Sequence, residues 1–118
     1  MRFEDLEVWK RSARLSADLF RLMRDLKDYG YRDQITRSSL SIPSNIAEGF
    51  ERQSQKECMT FLSYAKGSCG ELRTQIYIGM EIGYISREEG KTLLQETEEI
   101  SLMLGGLLKT KKGFVGQK

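Results

Sequence analysis

Ser54-Gln55-Lys56-Glu57-Cys58-Met59-Thr60-Phe61-Leu62-Ser63-Tyr64-Ala65 announces a helix twice, by its start signal and by its period. Ser54 and Glu57 stand at S-x-x-E spacing, in which hydroxyl and carboxylate satisfy backbone N–H groups left open in a first turn. Cys58, Leu62, Ala65, Cys69, Leu72 and Ile76 then recur at three- and four-residue steps, one face of a helix that stops near Gly83. The start signal repeats at Ser86-Arg87-Glu88-Glu89. Leu93, Thr97, Ile100, Leu104 and Leu107 follow as the next stripe, which ends near Lys109 to Lys112. Glu88 and Glu89 at its start and lysines at its end both suit the helix dipole.

Upstream, the pattern predicts a helix from about Asp33 to Glu48, with Ile35, Ser39, Ile42 and Ile46 inward. Pro43 lacks an N–H and crowds the Ser39 carbonyl, so a kink at Pro43 is expected, with a clean break as the alternative. Ser38, Ser39, Ser41 and Ser44 surround it and offer hydroxyls to carbonyls that the kink frees. Gly49 is assigned the left-handed position after the helix, with Phe50 folding back on the last turn. A first helix is expected from about Leu6 to Leu26, with Asp5 as N-cap. Its stripe is Trp9, Ser16, Phe20 and Met23, widened by Val8, Leu15, Leu19, Leu22 and Leu26; residues 27–31 read as a turn. Four helices with short connections give an all-α, antiparallel up-and-down four-helix bundle over residues 1–112, followed by a flexible tail at 113–118.

At 118 residues the chain has room for one core. Its 39% hydrophobic and 31% charged content is that of a globular protein, and one proline argues against disorder. No apolar run approaches the roughly 18 residues that cross a bilayer. The acidic start, Met1-Arg2-Phe3-Glu4-Asp5, is unlike a signal peptide, so the expected location is cytoplasmic with no membrane partner. The chain has no histidine, which removes the commonest general base and transition-metal ligand. Cys58 and Cys69 on one helix are separated by roughly 16 Å along its axis, too far for a disulfide. They read as reduced core residues. No P-loop or dinucleotide fingerprint is present, and no metal or cofactor is expected.

Glu48 and Glu71 can approach each other from neighbouring helices, and paired carboxylates can do acid–base work if their pKa values are split. Pairing with Arg37, Arg52 or Arg73, or hydrogen bonding to Asn45 and the serines, is the plainer reading, and no enzyme is expected. Gly67-Ser68-Cys69-Gly70 matches a G-x-x-G clamp, but within a helical pattern it reads as a point of close helix approach. On helix 1, Lys10, Arg14, Arg21 and Arg24 share roughly a quarter of the circumference. Asp18 and Asp25 lie beside them, placed for Arg14–Asp18 and Arg21–Asp25 pairs. This row is either a solvated face or a ridge for phosphates, to which Lys109, Lys111, Lys112 and Lys118 can add. The apolar surface also exceeds what four stripes use: Tyr64, Ile78 and Ile82 form a second row on helix 3, and Leu40, Leu94 and Leu102 point off-core. These residues suggest a homo-oligomer interface; a helix touching two neighbours within a monomer is the alternative.

Ser41-Ile42-Pro43-Ser44-Asn45-Ile46-Ala47-Glu48-Gly49-Phe50-Glu51-Arg52 resembles the signature of the bacterial 23S rRNA intervening-sequence proteins. The opening Phe3-Glu4-Asp5-Leu6-Glu7-Val8-Trp9 resembles that family's start. Phe61-Leu62, Ala65, Gly67-Ser68 and Glu71-Leu72 resemble its third helix. The resemblance implies a bundle that assembles as a ring-like homopentamer, with kinship to the accessory protein of diversity-generating retroelements, which binds nucleic acid and a reverse transcriptase. It implies RNA or DNA as a partner, although a net charge of +2 is low for a committed binder. A protein–protein scaffold with an incidental basic face is the alternative. The Ser41–Arg52 motif reads as architectural: Pro43 kinks, Asn45 and Glu48 hold neighbouring helices, and Gly49 turns. Lining of an oligomer's channel is its other reading.

Overall fold

The computed structural model describes residues 2–116. After a short 3-10 turn, Phe3–Asp5, come four helices: α1 Glu7–Leu22, α2 Tyr29–Glu51, α3 Gln55–Glu81 and α4 Arg87–Gly116. Helix α1 packs on α2 and α4, and α3 packs on α2 and α4, so α1 and α3 sit diagonally across a four-cornered bundle. Along the α2–α3 seam the numbers rise on one helix as they fall on the other. Tyr31 meets Gln75, Ser41 meets Ser68, and Gly49 lies against Cys58. The α3–α4 seam behaves likewise, with Lys66 at Ser101 and Met80 at Gly90. Every expected inward residue of α2 and α3 is buried.

The helix starts of α3 and α4 form as the capping boxes require. Ser54 Oγ accepts from Glu57 N at 3.0 Å, and Ser86 Oγ accepts from Glu89 N at 3.1 Å while Glu89 accepts in return from Ser86 N. The first two helices depart from expectation. Asp5 caps nothing: it lies in the 3-10 turn, and the N-cap of α1 is Leu6, which has no side-chain bond to give. Helix α1 stops at Leu22, and α2 begins within the expected turn because Asp28 Oδ1 accepts from Tyr31 N and caps it. Phe20 is 47% exposed and does not join the α1 core stripe. Helix α4 runs on to Gly116, past the end expected near Lys109 to Lys112; residues 117 and 118 of the expected tail lie outside the described residues.

Helix α2 passes through Pro43 without a break. Thr36 Oγ1, Ser39 Oγ, Ser41 Oγ and Asn45 Nδ2 each donate to a carbonyl on the preceding turn of α2, those of Arg32, Thr36, Ser38 and Ser41. None of these is Ser39 O, the carbonyl that Pro43 deprives of a donor. Gly49 is not a left-handed turn residue. It is buried inside α2, and a Cβ there would stand 3.1 Å from Cys58 O and 3.2 Å from Phe61 Cβ. Its role is to let α3 approach. The left-handed glycine is Gly83, at φ +82°, where Tyr84 N and Ile85 N turn back onto Gly79 O and close α3. Conversely, a Cβ at Gly67 or Gly70 would meet nothing within 4 Å, so the G-x-x-G run marks no close approach.

Cys58 and Cys69 are free and buried, and burial pushes the Cys69 thiol up to about 11. Among the described residues no helix is long and apolar enough to cross a membrane.

The α1–α4 seam is held by Arg11, whose Nε donates to Glu96 at 2.9 Å and whose Nη2 donates to Glu99 at 2.6 Å. Hydrogen bonds from Arg11, then from Gln95, hold the Glu99 carboxyl below its ordinary value of 4.5. A carboxyl whose pKa is lower folded than unfolded contributes stability above the unfolded value and loses it as pH falls through the folded one. Acidification below pH ~4.5 should therefore weaken this seam. In Arg11→Met the fall in melting temperature between pH 6 and pH 3 should be shallower than in the wild type. An identical acid limb would show that the Arg11 clamp does not carry this dependence.

Candidate interaction surfaces

Lys10, Arg14, Arg21 and Arg24 are all exposed on α1 or its C-terminal turn. Arg21 bonds Asp18 at 2.9 Å, one turn back, in place of the expected Arg14–Asp18 and Arg21–Asp25 pairs. Among the described residues, no carboxylate oxygen lies within 4.0 Å of Lys10, Arg14 or Arg24. The C-terminal lysines do not extend this row. Lys111 Nζ stands 4.8 Å from the Phe50 ring centre at the end of the bundle. Lys109 and Lys112 are exposed; helical geometry turns them roughly 130° and 170° from the row Met103, Leu107 and Thr110, which shares a groove with Leu6 and Val8 of the α1 end. Lys118 lies outside the described residues.

Beside the basic row runs a groove of about 620 Å³ between α1 and α2. Phe3, Trp9, Phe20, Leu40, Pro43 and Ala47 line it, with Arg21 on its rim. Phe20 and Leu40 are about half exposed there. Sequence reasoning placed Phe20 in the core and Leu40 among the off-core interface candidates, without bringing the two together. The signal available was the pair of small residues Ala13 and Ala17 on the α1 face beside Phe20, which leave the groove open.

The family-motif residues divide between core and surface. Ile42, Pro43 and Ile46 are buried, while Ala47 reaches the groove. Glu48 pairs with Arg52 at 3.1 Å within its own chain turn, and Asn45 bonds Ser41 O of its own helix. Neither holds a neighbouring helix, as was expected of them. Arg52 also reaches Glu57 at 3.4 Å and stacks over Phe61 at 4.7 Å, so it is Arg52 that ties the α2 end to α3. Glu71 is exposed and lines a polar cleft with Asp33, Arg37, Ser41 and Ser68. Glu48 does not line that cleft, so the two carboxylates do not form a site. Among the described residues, no three His, Cys, Asp or Glu side chains cluster as metal ligands would.

Of the expected interface residues, Leu40, Tyr64, Ile78, Ile82 and Leu102 are exposed. Leu94 is not; it packs against the core. Sequence reasoning also passed over the Asp28–Tyr31–Tyr84 cluster. Tyr84 Oη donates to Asp28 Oδ2 at 2.7 Å, Tyr31 Oη donates to Gln75 O at 2.6 Å, and the two rings meet edge to face at 5.2 Å. Burial, and then the neighbouring Tyr84, pushes the Tyr31 hydroxyl up to about 12. The hydrogen bond from Tyr84, then that from Tyr31 N, holds the Asp28 carboxyl below its ordinary range.

A family model described as 23S rRNA-intervening sequence protein matches residues 4–106. A crystal structure from Bacteroides thetaiotaomicron, of a protein of unknown function from the S23 ribosomal protein family, superposes with a TM-score of 0.82 at 24% identity. The match covers 86% of this chain and 98% of that one, and it shows the shared fold. No curated protein matches the chain.

Proposed function

The chain belongs to the 23S rRNA-intervening sequence protein family, and from that premise we propose that it is a non-enzymatic, self-assembling bundle that binds RNA through the basic row of α1. The observation that carries this reading is the exposure of Lys10, Arg14 and Arg24 on one face without an internal carboxylate to neutralise them. A cation already paired to a carboxylate has little left to offer a phosphate. A single row is weak, because one subunit carries only +2 overall. Assembly repeats the row, and phosphate contacts add in the exponent. The family's description, which names a ribosomal RNA, supports RNA over DNA as the first probe.

The test is binding to structured RNA across a salt series. Lys10→Glu/Arg14→Glu should weaken binding roughly tenfold or more and reduce the slope of log K against log salt by about 2 for each subunit engaged. Full affinity and an unchanged slope would remove the α1 row from the binding surface. A protein partner recovered equally well after nuclease treatment would favour a scaffold in place of an RNA binder.

A further inference from the structure

Ser38 is the exception among the buried hydroxyls. Ser12, Ser16, Thr36, Ser39, Ser68 and Thr97 are also buried, and each of their hydroxyls is hydrogen-bonded within the chain. Ser38 is only 8% exposed, yet its hydroxyl bonds nothing among the described residues. A buried polar group without a partner is uncommon in a folded protein and calls for one. Ser38 lines the α2–α3 cleft of about 510 Å³, so its partner comes from whatever fills that cleft.

The same cleft holds two charges without partners. Arg37 of α2 and Glu71 of α3 both line it, and among the described residues neither has an opposite charge within 4.0 Å. The seam's register puts them at one level. Ser41 and Ser68 bond each other at 2.6 Å and close one end of the cleft. Arg37 lies roughly 6 Å along the bundle from that bond and Glu71 roughly 4.5 Å, in the same direction because the helices are antiparallel. Asp33, the other carboxylate, lies 3.7 Å from Arg32. One cation and one anion are left, on opposite sides of a gap that they do not bridge themselves. Glu71 enters no ion pair or side-chain hydrogen bond of the chain, although the family resemblance singled it out.

We propose that this cleft binds a small zwitterion, an α-amino acid with a polar side chain. Its carboxylate sits on Arg37, its ammonium on Glu71, and the Ser38 hydroxyl supplies a further hydrogen bond. A guanidinium takes a carboxylate through two parallel N–H donors, which fixes orientation as well as sign. The lining excludes other classes. Every side chain that lines the cleft is polar, so an aromatic or aliphatic ligand finds no apolar wall and a sugar no ring to stack on. A phosphate would meet Glu71 and Asp33 beside a single arginine, so the cleft does not extend the RNA surface of α1. The site is independent of that reading.

The experiment is an NMR titration of the full chain with L-serine, L-glutamine and L-arginine, and with the N-acetyl and carboxamide forms of each. At least one free amino acid should bind with a Kd of about 1 mM or below. The amides that shift should be those of residues 34–41 and 68–71. Arg37→Gln and Glu71→Gln, both at exposed positions, should keep the helical circular dichroism and weaken binding by about tenfold or more. The two variants should also differ in kind. In Arg37→Gln the amino acid and its carboxamide should bind alike, and in Glu71→Gln the amino acid and its N-acetyl form should. No shift with any of the three free amino acids, or shifts confined to other parts of the chain, overturns the proposal. Undiminished affinity in both variants overturns it as well.

Discussion

Gly79→Ala should destabilise the protein by about 1–3 kcal/mol, the range for overpacking a filled site. It should do so although alanine is the better helix former by about 1 kcal/mol. A Cβ on Gly79 would land on the Tyr31 hydroxyl and within 2.8 Å of Ile85 Cδ1. Ile85 is buried and branched, and Tyr31 is fixed at both ends, by Gln75 O and by the Tyr84 ring. Moving Tyr31 also disturbs Tyr84, whose hydroxyl bonds the Asp28 cap of α2. Gly90 provides the control. Its Cβ would collide as closely, but with the Met80 thioether, an unbranched chain that is only half-buried and can swing aside. Gly90→Ala should stay within about 0.5 kcal/mol of wild type. Urea unfolding of both variants, repeated in a Tyr31→Phe background, separates the causes. The Gly79→Ala penalty should shrink by at least about 0.5 kcal/mol when the hydroxyl is gone. Equal penalties at Gly79 and Gly90 would show that Tyr31 is not the obstacle.

The contrast also marks what the sequence could and could not disclose. Period and caps are local, so the α2 and α3 stripes and the Ser54 and Ser86 starts were legible residue by residue. What depends on a residue far along the chain was not. Gly49 was correctly singled out as a glycine that mattered, but its reason is the carbonyl of Cys58 on the next helix and not its own backbone angle. A glycine near a helix end has the same sequence signature in both cases. Asp28 looked like part of a turn because its capping partner, Tyr31, was itself read as turn; the helix began earlier than its apolar stripe. Arg11 drew no notice, since nothing on α1 reveals that Glu96 and Glu99 stand across from it. The candidate surfaces follow the same division. That α1 carries a basic row was readable from 3.6-residue spacing. That this row borders an apolar groove required knowing how closely α2 approaches, which the small side chains Ala13, Ser16 and Ala17 decide.

Ile100→Ala and Leu102→Ser, two positions apart on α4, should separate the core of the subunit from its contacts. Ile100 is fully buried, and removing its outer carbons leaves a cavity between helices that cannot close without moving α4. The expected loss is about 2–5 kcal/mol, with a melting temperature lower by about 10 °C or more. Leu102 is 69% exposed, so its replacement should cost no more than about 0.5 kcal/mol. The more informative readout is mass. By its position roughly 160° from Leu104, Leu102 faces away from the core on α4, a helix that contributes nothing to the α1–α2 groove or to the α3 row. If the α3 row Tyr64, Ile78 and Ile82 joins the subunits of the proposed assembly, Leu102→Ser leaves that assembly intact while Ile78→Asp dissolves it. If instead Leu102→Ser lowers the mass, the outer face of α4 belongs to the subunit contact. Exposure of a leucine does not by itself identify an interface; Ile78 stands in a row with the equally exposed Tyr64 and Ile82, whereas no other large apolar side chain of α4 is exposed among the described residues.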